Sequence, residues 1–172
     1  MRYLFLTAYR NEVQIIETFL SEFSAMLREA RIDGQAALYL VDDLSLDGTR
    51  DAILKFRSAI GSPPISIIST PTNLGNQGAM YYGLRRLPVA ADDVVITFDC
   101  DGEDDVRAIP RVIELGCANP GRVILIERGR RSESLGFRVL FSGYKALFRF
   151  MTGKDVVPNN FLLLPGSLVG PV

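Results

Sequence analysis

The sequence predicts an α/β sandwich around a mostly parallel sheet, and three observations carry that expectation. Five short apolar, β-branched runs alternate with helical patterns along the chain. Each run is bounded by turn residues or by a helix cap. With 172 residues, 48% of them hydrophobic and 23% charged, the chain suits one domain, expected over residues 1–172, whose core folds without staples.

The five strands are expected at Tyr3–Thr7, Ala36–Val41, Ile65–Ser69, Val94–Phe98 and Val123–Ile126. Between the first two, Ile16, Phe19, Leu20, Phe23 and Leu27 recur at helical spacing. Asn11, with Gln14 three residues on, has the form of a capping box at the start of that helix. A second helix follows Asp47-Gly48-Thr49, with Ala52, Ile53, Phe56 and Ile60 on one face, and Pro63-Pro64 closes the loop behind it. A third helix is expected over residues 76–87. A fourth is expected over 106–115, its start blurred by Pro110, which has no N–H to donate.

Beyond the fifth strand, Phe137, Leu140, Phe141, Tyr144, Leu147, Phe148 and Met151 recur at helical spacing, with Arg138, Lys145 and Arg149 among them. A core helix is the favoured reading, and an interfacial helix making peripheral membrane contact is the second. Residues 153–172 form an apolar end with three prolines.

Composition removes several function classes. Nineteen basic against twenty acidic residues leave a net charge of −1, which argues against an electrostatic grip on nucleic acid. The chain has no histidine, so the commonest general base and the commonest zinc ligand are both missing. Cys100 and Cys117 are too far apart for a CxxC site and read as reduced thiols of a cytoplasmic protein. No apolar run approaches the roughly 20 residues that span a bilayer, and the apolar start at Met1–Leu6 is too short for a secretory signal.

In an open α/β sheet, ligands bind outside the carboxyl ends of the strands, and the polar residues gather there. The richest segment is Asp99-Cys100-Asp101-Gly102-Glu103-Asp104-Asp105. Carboxylates at i and i+2 on an extended chain point to one side, and two such charges are costly together unless a cation offsets them. All-oxygen ligands select a hard ion such as Mg²⁺ or Mn²⁺, which also seeks phosphate oxygens, and Glu103 could supply a third oxygen. An acidic loop capping the next helix through Asp104 and Asp105 explains the same residues equally well.

Asp43, at the end of the second strand, could accept hydrogen bonds from a nucleobase or a ribose, whereas Asp47 suits a tight Asp-Gly turn and a helix cap. Gly75, Gly78 and Gly83 match neither G-x-G-x-x-G nor a Lys-bearing phosphate loop, and Gly83 reads as close helix–sheet packing. Arg128-Gly129-Arg130-Arg131 could clamp phosphate oxygens, although a solvated basic loop is the better reading of any one arginine.

Taken in order, these segments resemble the family-2 glycosyltransferases of the GT-A fold. Ala8-Tyr9-Arg10-Asn11-Glu12 is similar to the family's P-x-Y-N-E, and Val41–Thr49 to V-D-D-G-S-x-D-G-T. Asn73-Leu74-Gly75-Asn76-Gln77-Gly78-Ala79 resembles N-x-G-K-x-x-A, and Asp99-Cys100-Asp101 matches D-x-D. Within the family, the polyprenyl-phosphate sugar transferases look nearest. Their D-A-D-L-Q-x-P is echoed in Asp99–Asp105, their R-x-x-R-x-(E/D) in Arg128, Arg131 and Glu133, and their G-D-F in Asn159-Asn160-Phe161.

The resemblance implies a GT-A, Rossmann-like three-layer sandwich and an inverting sugar transfer from a UDP- or GDP-linked donor. The implied acceptor is a polyprenyl phosphate or a cell-envelope glycan, reached at the inner face of a membrane. Ala8, Arg10, Glu12, Asp43, Asn73 and Gly75 would line the donor. Asp99, Asp101 and Glu103 would hold Mg²⁺ or Mn²⁺, and Arg128 and Arg131 would face phosphate.

Ala8, Arg10, Asn76, Asn160 and Leu162 depart from the family pattern, standing where Pro, Tyr, Lys, Asp and Arg are usual. The resemblance also implies acceptor-side elements beyond Val172, so a fragment of a longer catalytic domain is expected. A nucleotide-sugar-binding module without catalysis is the alternative.

Overall fold

The computed structural model describes residues 1–126 and 160–169, and residues 1–126 and 160–172 group as one compact unit. The strands are β1 (Tyr3–Tyr9), β2 (Ala36–Asp42), β3 (Ile65–Ser69), β4 (Val94–Thr97), β5 (Ile124–Leu125) and β6 (Leu162–Pro165). The helices are α1 (Ile16–Glu29), α2 (Thr49–Ile60), α3 (Gly75–Leu84), α4 (Ile109–Ala118) and the short α5 (Gly166–Val169). The arginine segment 128–131, Glu133, the aromatic-rich stretch 137–151 and Asn159 lie outside the described residues.

The sheet order is β3-β2-β1-β4-β6-β5. β1, β2, β3 and β4 run parallel, in a register that sets Tyr9 beside Asp42 and Leu6 beside Thr97. β6 enters antiparallel between β4 and β5, pairing Thr97 with Leu162 and Ile124 with Leu163. This sixth strand is an addition to the expected five. Its apolar run is four residues long and ends in proline, and no period distinguishes so short a run from the rest of the apolar tail.

The two faces of the sheet are covered differently, which gives the three layers expected. On one face, α1 packs Phe19 and Phe23 against Phe5 and Phe98, with ring centroids 5.0–5.9 Å apart. Ile53 of α2 and Ile109, Val112 and Ile113 of α4 join the same core. On the other face, Ala79 and Met80 of α3 meet Leu6 and Val41. Gly83 permits that approach, because a Cβ there would lie 2.4 Å from Val41 Cγ2 and 3.0 Å from Leu6 Cδ1.

Two expected helix details need correction. Asn11 does not cap α1, which begins five residues later. Its backbone is left-handed (φ 59°), its amide donates to Ser45 Oγ at 3.1 Å, and its Oδ1 accepts from the Leu46 amide at 2.9 Å. Asn tolerates that conformation and here ties the loop after β1 to the loop after β2. Ile60 is 41% exposed, so the buried face of α2 stops short of its last turn. Pro110 sits in the first turn of α4, where no N–H is required of it.

Candidate donor and metal site

At the carboxyl ends of β1, β2 and β4 lies a cavity of about 230 Å³ lined by Ala8, Tyr9, Arg10, Glu12, Asp43, Asn73, Gly75, Asn76, Asp99, Cys100 and Asp101. Of the described residues expected at the site, the structure thus brings together Ala8, Arg10, Glu12, Asp43, Asn73, Gly75, Asp99 and Asp101. Glu103 is outside this lining. Arg128 and Arg131 lie outside the described residues.

Backbone pairing extends past the strand ends to form the walls. The Asp43 amide donates to Tyr9 O at 3.0 Å, Thr70 N to Asp42 O at 3.0 Å, and Phe98 N to Leu6 O at 3.3 Å. These bonds bring three loops to one edge of the sheet, as the topology of an open α/β fold requires.

Asp43 is buried, and much of its carboxylate is used by the chain itself. Oδ1 accepts from the Thr70 hydroxyl at 3.1 Å and the Leu74 amide at 2.7 Å, and Oδ2 accepts from the Gly75 amide at 2.9 Å. Asn73 Oδ1 accepts from the same Gly75 amide at 3.1 Å. Gly75 is left-handed (φ 71°), the conformation that turns the loop into α3. Asp43 and Asn73 therefore shape the wall at the start of α3, a use that spacing alone could not reveal.

Of the two purposes weighed for the acidic segment, the described geometry carries the helix cap, and through Asp105. Asp105 caps the 3-10 turn at Val106–Ala108, its Oδ1 accepting from Arg107 N at 3.0 Å. The Arg107 guanidinium beside it holds that carboxyl below its ordinary value. Asp104 is buried, and its Oδ2 accepts from the Asp99 amide at 2.8 Å. Asp101 Oδ1 accepts from the Glu103 amide at 2.9 Å.

Asp99 is 7% exposed, and its Oδ1 accepts from Asn76 Nδ2 at 3.1 Å and from Asn160 Nδ2 at 2.8 Å. The supporting role of Thr70 had no signal in the sequence, because its contact with Asp43 joins loops 27 residues apart, whereas Asp104, expected as a helix cap, turns back five residues to the Asp99 amide.

Charge in the cavity is dominated by carboxylates. Burial, then Asp101 and Asp47, push Glu12 above the ordinary carboxylate range. Cys100 is buried, its thiol donates to Ala8 O at 3.3 Å, and burial pushes it up to about 12, so it is not a thiolate at neutral pH.

Among the described residues, no three His, Cys, Asp or Glu side chains gather as a ready-made cage for a metal ion. The donor chemistry nevertheless fits Mg²⁺ or Mn²⁺. Such an ion is commonly held by one or two carboxylates and completed by substrate phosphates and water. Asp99 and Asp101, with Glu12 near Asp101, offer that kind of oxygen set.

Residues 5–168 match the family model described as "Glycosyl transferase family 2". Among curated proteins, the undecaprenyl-phosphate 4-deoxy-4-formamido-L-arabinose transferase of Pseudomonas syringae is 30% identical over 105 residues, which is 61% of this chain and 29% of that protein. Among solved structures, mannosyl-3-phosphoglycerate synthase from Rubrobacter xylanophilus aligns with a TM-score of 0.69 at 20% identity, covering 98% of this chain and 54% of that one. A mannosyltransferase from Pyrobaculum calidifontis, in complex with GDP-Man and Mn²⁺, aligns with a TM-score of 0.60 at 19% identity, covering 73% and 35%. The chain thus spans under a third of the curated relative and about a third to a half of these structures. The structural likenesses carry the fold, and the family match covers nearly every residue: this chain belongs to glycosyl transferase family 2, with the GT-A fold.

Proposed function

We propose that residues 1–172 act as a single catalytic domain of an inverting, metal-dependent glycosyltransferase that takes its sugar from a UDP- or GDP-linked donor. The acceptor in this reading is a polyprenyl phosphate or a cell-envelope glycan, met at the cytoplasmic face of a membrane. The observation that supports it most directly is the convergence of Glu12, Asp43, Asp99 and Asp101, from three strand ends, on one cavity. The curated relative is named for an undecaprenyl-phosphate acceptor, and one structural neighbour holds GDP-Man with Mn²⁺. No helix among the described residues is long and apolar enough to cross a membrane.

In this mechanism Asp99 and Asp101 hold the cation, with Glu12 beside them. A bound divalent ion supplies positive charge where negative charge builds on the departing nucleoside diphosphate. Ala8, Arg10 and the wall shaped by Asp43, Asn73 and Gly75 border the base and ribose. Glu103, whose amide donates to Asp101 Oδ1 at 2.9 Å, supplies the third oxygen of this reading. Arg128 and Arg131 are assigned to the acceptor phosphate or the donor diphosphate. A phosphate acceptor is largely ionised at neutral pH, with a second pKa of about 6, and needs no general base. A chain without histidine suits such an acceptor.

Titration calorimetry with UDP and with GDP, each with and without Mn²⁺, tests the reading. The expected result is binding of one nucleotide that requires metal and is lost in Asp101→Ala while circular dichroism stays unchanged. Binding of neither nucleotide by the folded chain would refute it, as would metal-dependent affinity that survives Asp101→Ala.

A further inference from the structure

β6 returns to the sheet beside β4, and Asn160, two residues ahead of it, bonds to Asp99 of the cavity lining. Asn160 is buried, and its backbone carbonyl accepts from the Thr97 hydroxyl at 2.6 Å. Its neighbour Phe161 packs on Phe98, ring centroids 6.1 Å apart. Thr97, Phe98 and Asp99 are thus met by Asn160 and Phe161 across the strand pair. The Asn160 amide has a polarity that its surroundings dictate. A carboxylate accepts only, so Asn160 must turn its NH₂ toward Asp99 Oδ1, which leaves its oxygen facing Gln77. Gln77, in the first turn of α3, donates its own NH₂ to that oxygen.

We propose that Asn160 and Gln77 are positioning residues for Asp99, forming a one-way chain of donors from α3 through the return strand to the first carboxylate of the D-x-D pair. The proposal rests on the donor-site reading given above. Asn76 donates to the same oxygen of Asp99, so two amides hold it. Both are neutral. An amide orients the carboxylate and leaves its charge for the ion. Partners that orient a metal-binding carboxylate commonly change metal affinity by roughly 10–100-fold when removed.

The test measures Mn²⁺-dependent nucleotide affinity by calorimetry and Mn²⁺ binding by water-proton relaxation, using the nucleotide that the unmodified chain prefers. Asn160→Ala should lower the metal-dependent affinity about tenfold and leave metal-free nucleotide binding unchanged, a split that a merely structural role would not produce. Gln77 is exposed, so Gln77→Met should fold normally and lose about threefold. Because Gln77 acts through Asn160, the double variant should be no weaker than Asn160→Ala alone.

Unchanged metal-dependent affinity in both single variants overturns the proposal, and so do fully additive losses. If Asn160→Ala fails to fold, Gln77→Met decides the matter alone. An unmodified chain that binds nucleotide with metal, while the variants do so equally well, overturns only this chain of donors. An unmodified chain that never requires metal overturns the donor-site reading, and the proposal with it.

Discussion

Leu44 holds a left-handed backbone (φ 63°) in the loop after Asp43, and its side chain is 45% exposed. For a residue with a Cβ that conformation costs roughly 1–2 kcal/mol. Little buried surface repays the cost at this site. Leu44→Gly should therefore raise unfolding free energy by about 1 kcal/mol, part of the relief being offset by the greater freedom of glycine in the unfolded chain. Denaturant melts of the two proteins check this, and a loss of stability would show that the Leu44 side chain makes a contact worth more than the strain. The motif comparison already placed a glycine of the family at this position, so the anomaly was legible in the sequence. Its backbone consequence was not, because a dihedral angle depends on the loops that close around it. The same limit applies to Asp43: its place at a strand end could be read from the sequence, whereas its bonds to Thr70, Leu74 and Gly75 depend on a loop about thirty residues away.

At the level of elements, α3 is the helix on which the donor wall depends. Its first turn supplies Gly75 and Asn76 to the cavity, and its far end is pressed to the sheet at Gly83. Gly83→Ala should destabilise the fold by about 1–3 kcal/mol through overpacking against Val41 and Leu6. Adding Val41→Ala should recover part of that loss, since the nearest clash is with Val41 Cγ2. Thermal melts of the single and double variants read this directly, and additive losses would show that the clash is not the cause. The glycine-as-packing reading came from the sequence and the geometry supports it. The starts of helices were harder to place: α1 begins at Ile16, well after the polar residues that resembled a cap, because those residues are used to bind the neighbouring loop.

For the molecule as a whole, the clamp at the opposite end of the sheet sets a response to acid. The buried Asp93 accepts from the Arg2 amide and guanidinium and from the Ala90 amide at 2.8 Å. The Arg2 guanidinium is the main cause that holds Asp93 down at about 2. An unfolded chain returns it to the ordinary value of about 3.9. The ionised form is therefore favoured by folding, so its contribution is complete above about pH 4 and is lost as the pH falls toward 2. Asp93→Asn should lower the thermal midpoint at pH 7 and flatten its decline between pH 4 and pH 2. An unchanged slope in that interval would mean that other carboxylates govern acid unfolding.

The parallel half of this molecule was legible in the sequence because each β-α step is local and periodic. The antiparallel β6 was not, since its partners β4 and β5 are set by distant chain.

β5 joins the described sheet only through β6, and β6 also covers the outer edge of β4. A ribosome releases Asp99 and Asp101 long before it releases Asn160. While the chain is being made, β4 is an open edge and β5 has no strand to pair with. The carboxylate side of the cavity is therefore the last part completed, when Asn160–Pro165 has emerged and paired with β4. A nascent chain halted short of residue 160 would carry the acidic pair without the amide that holds it.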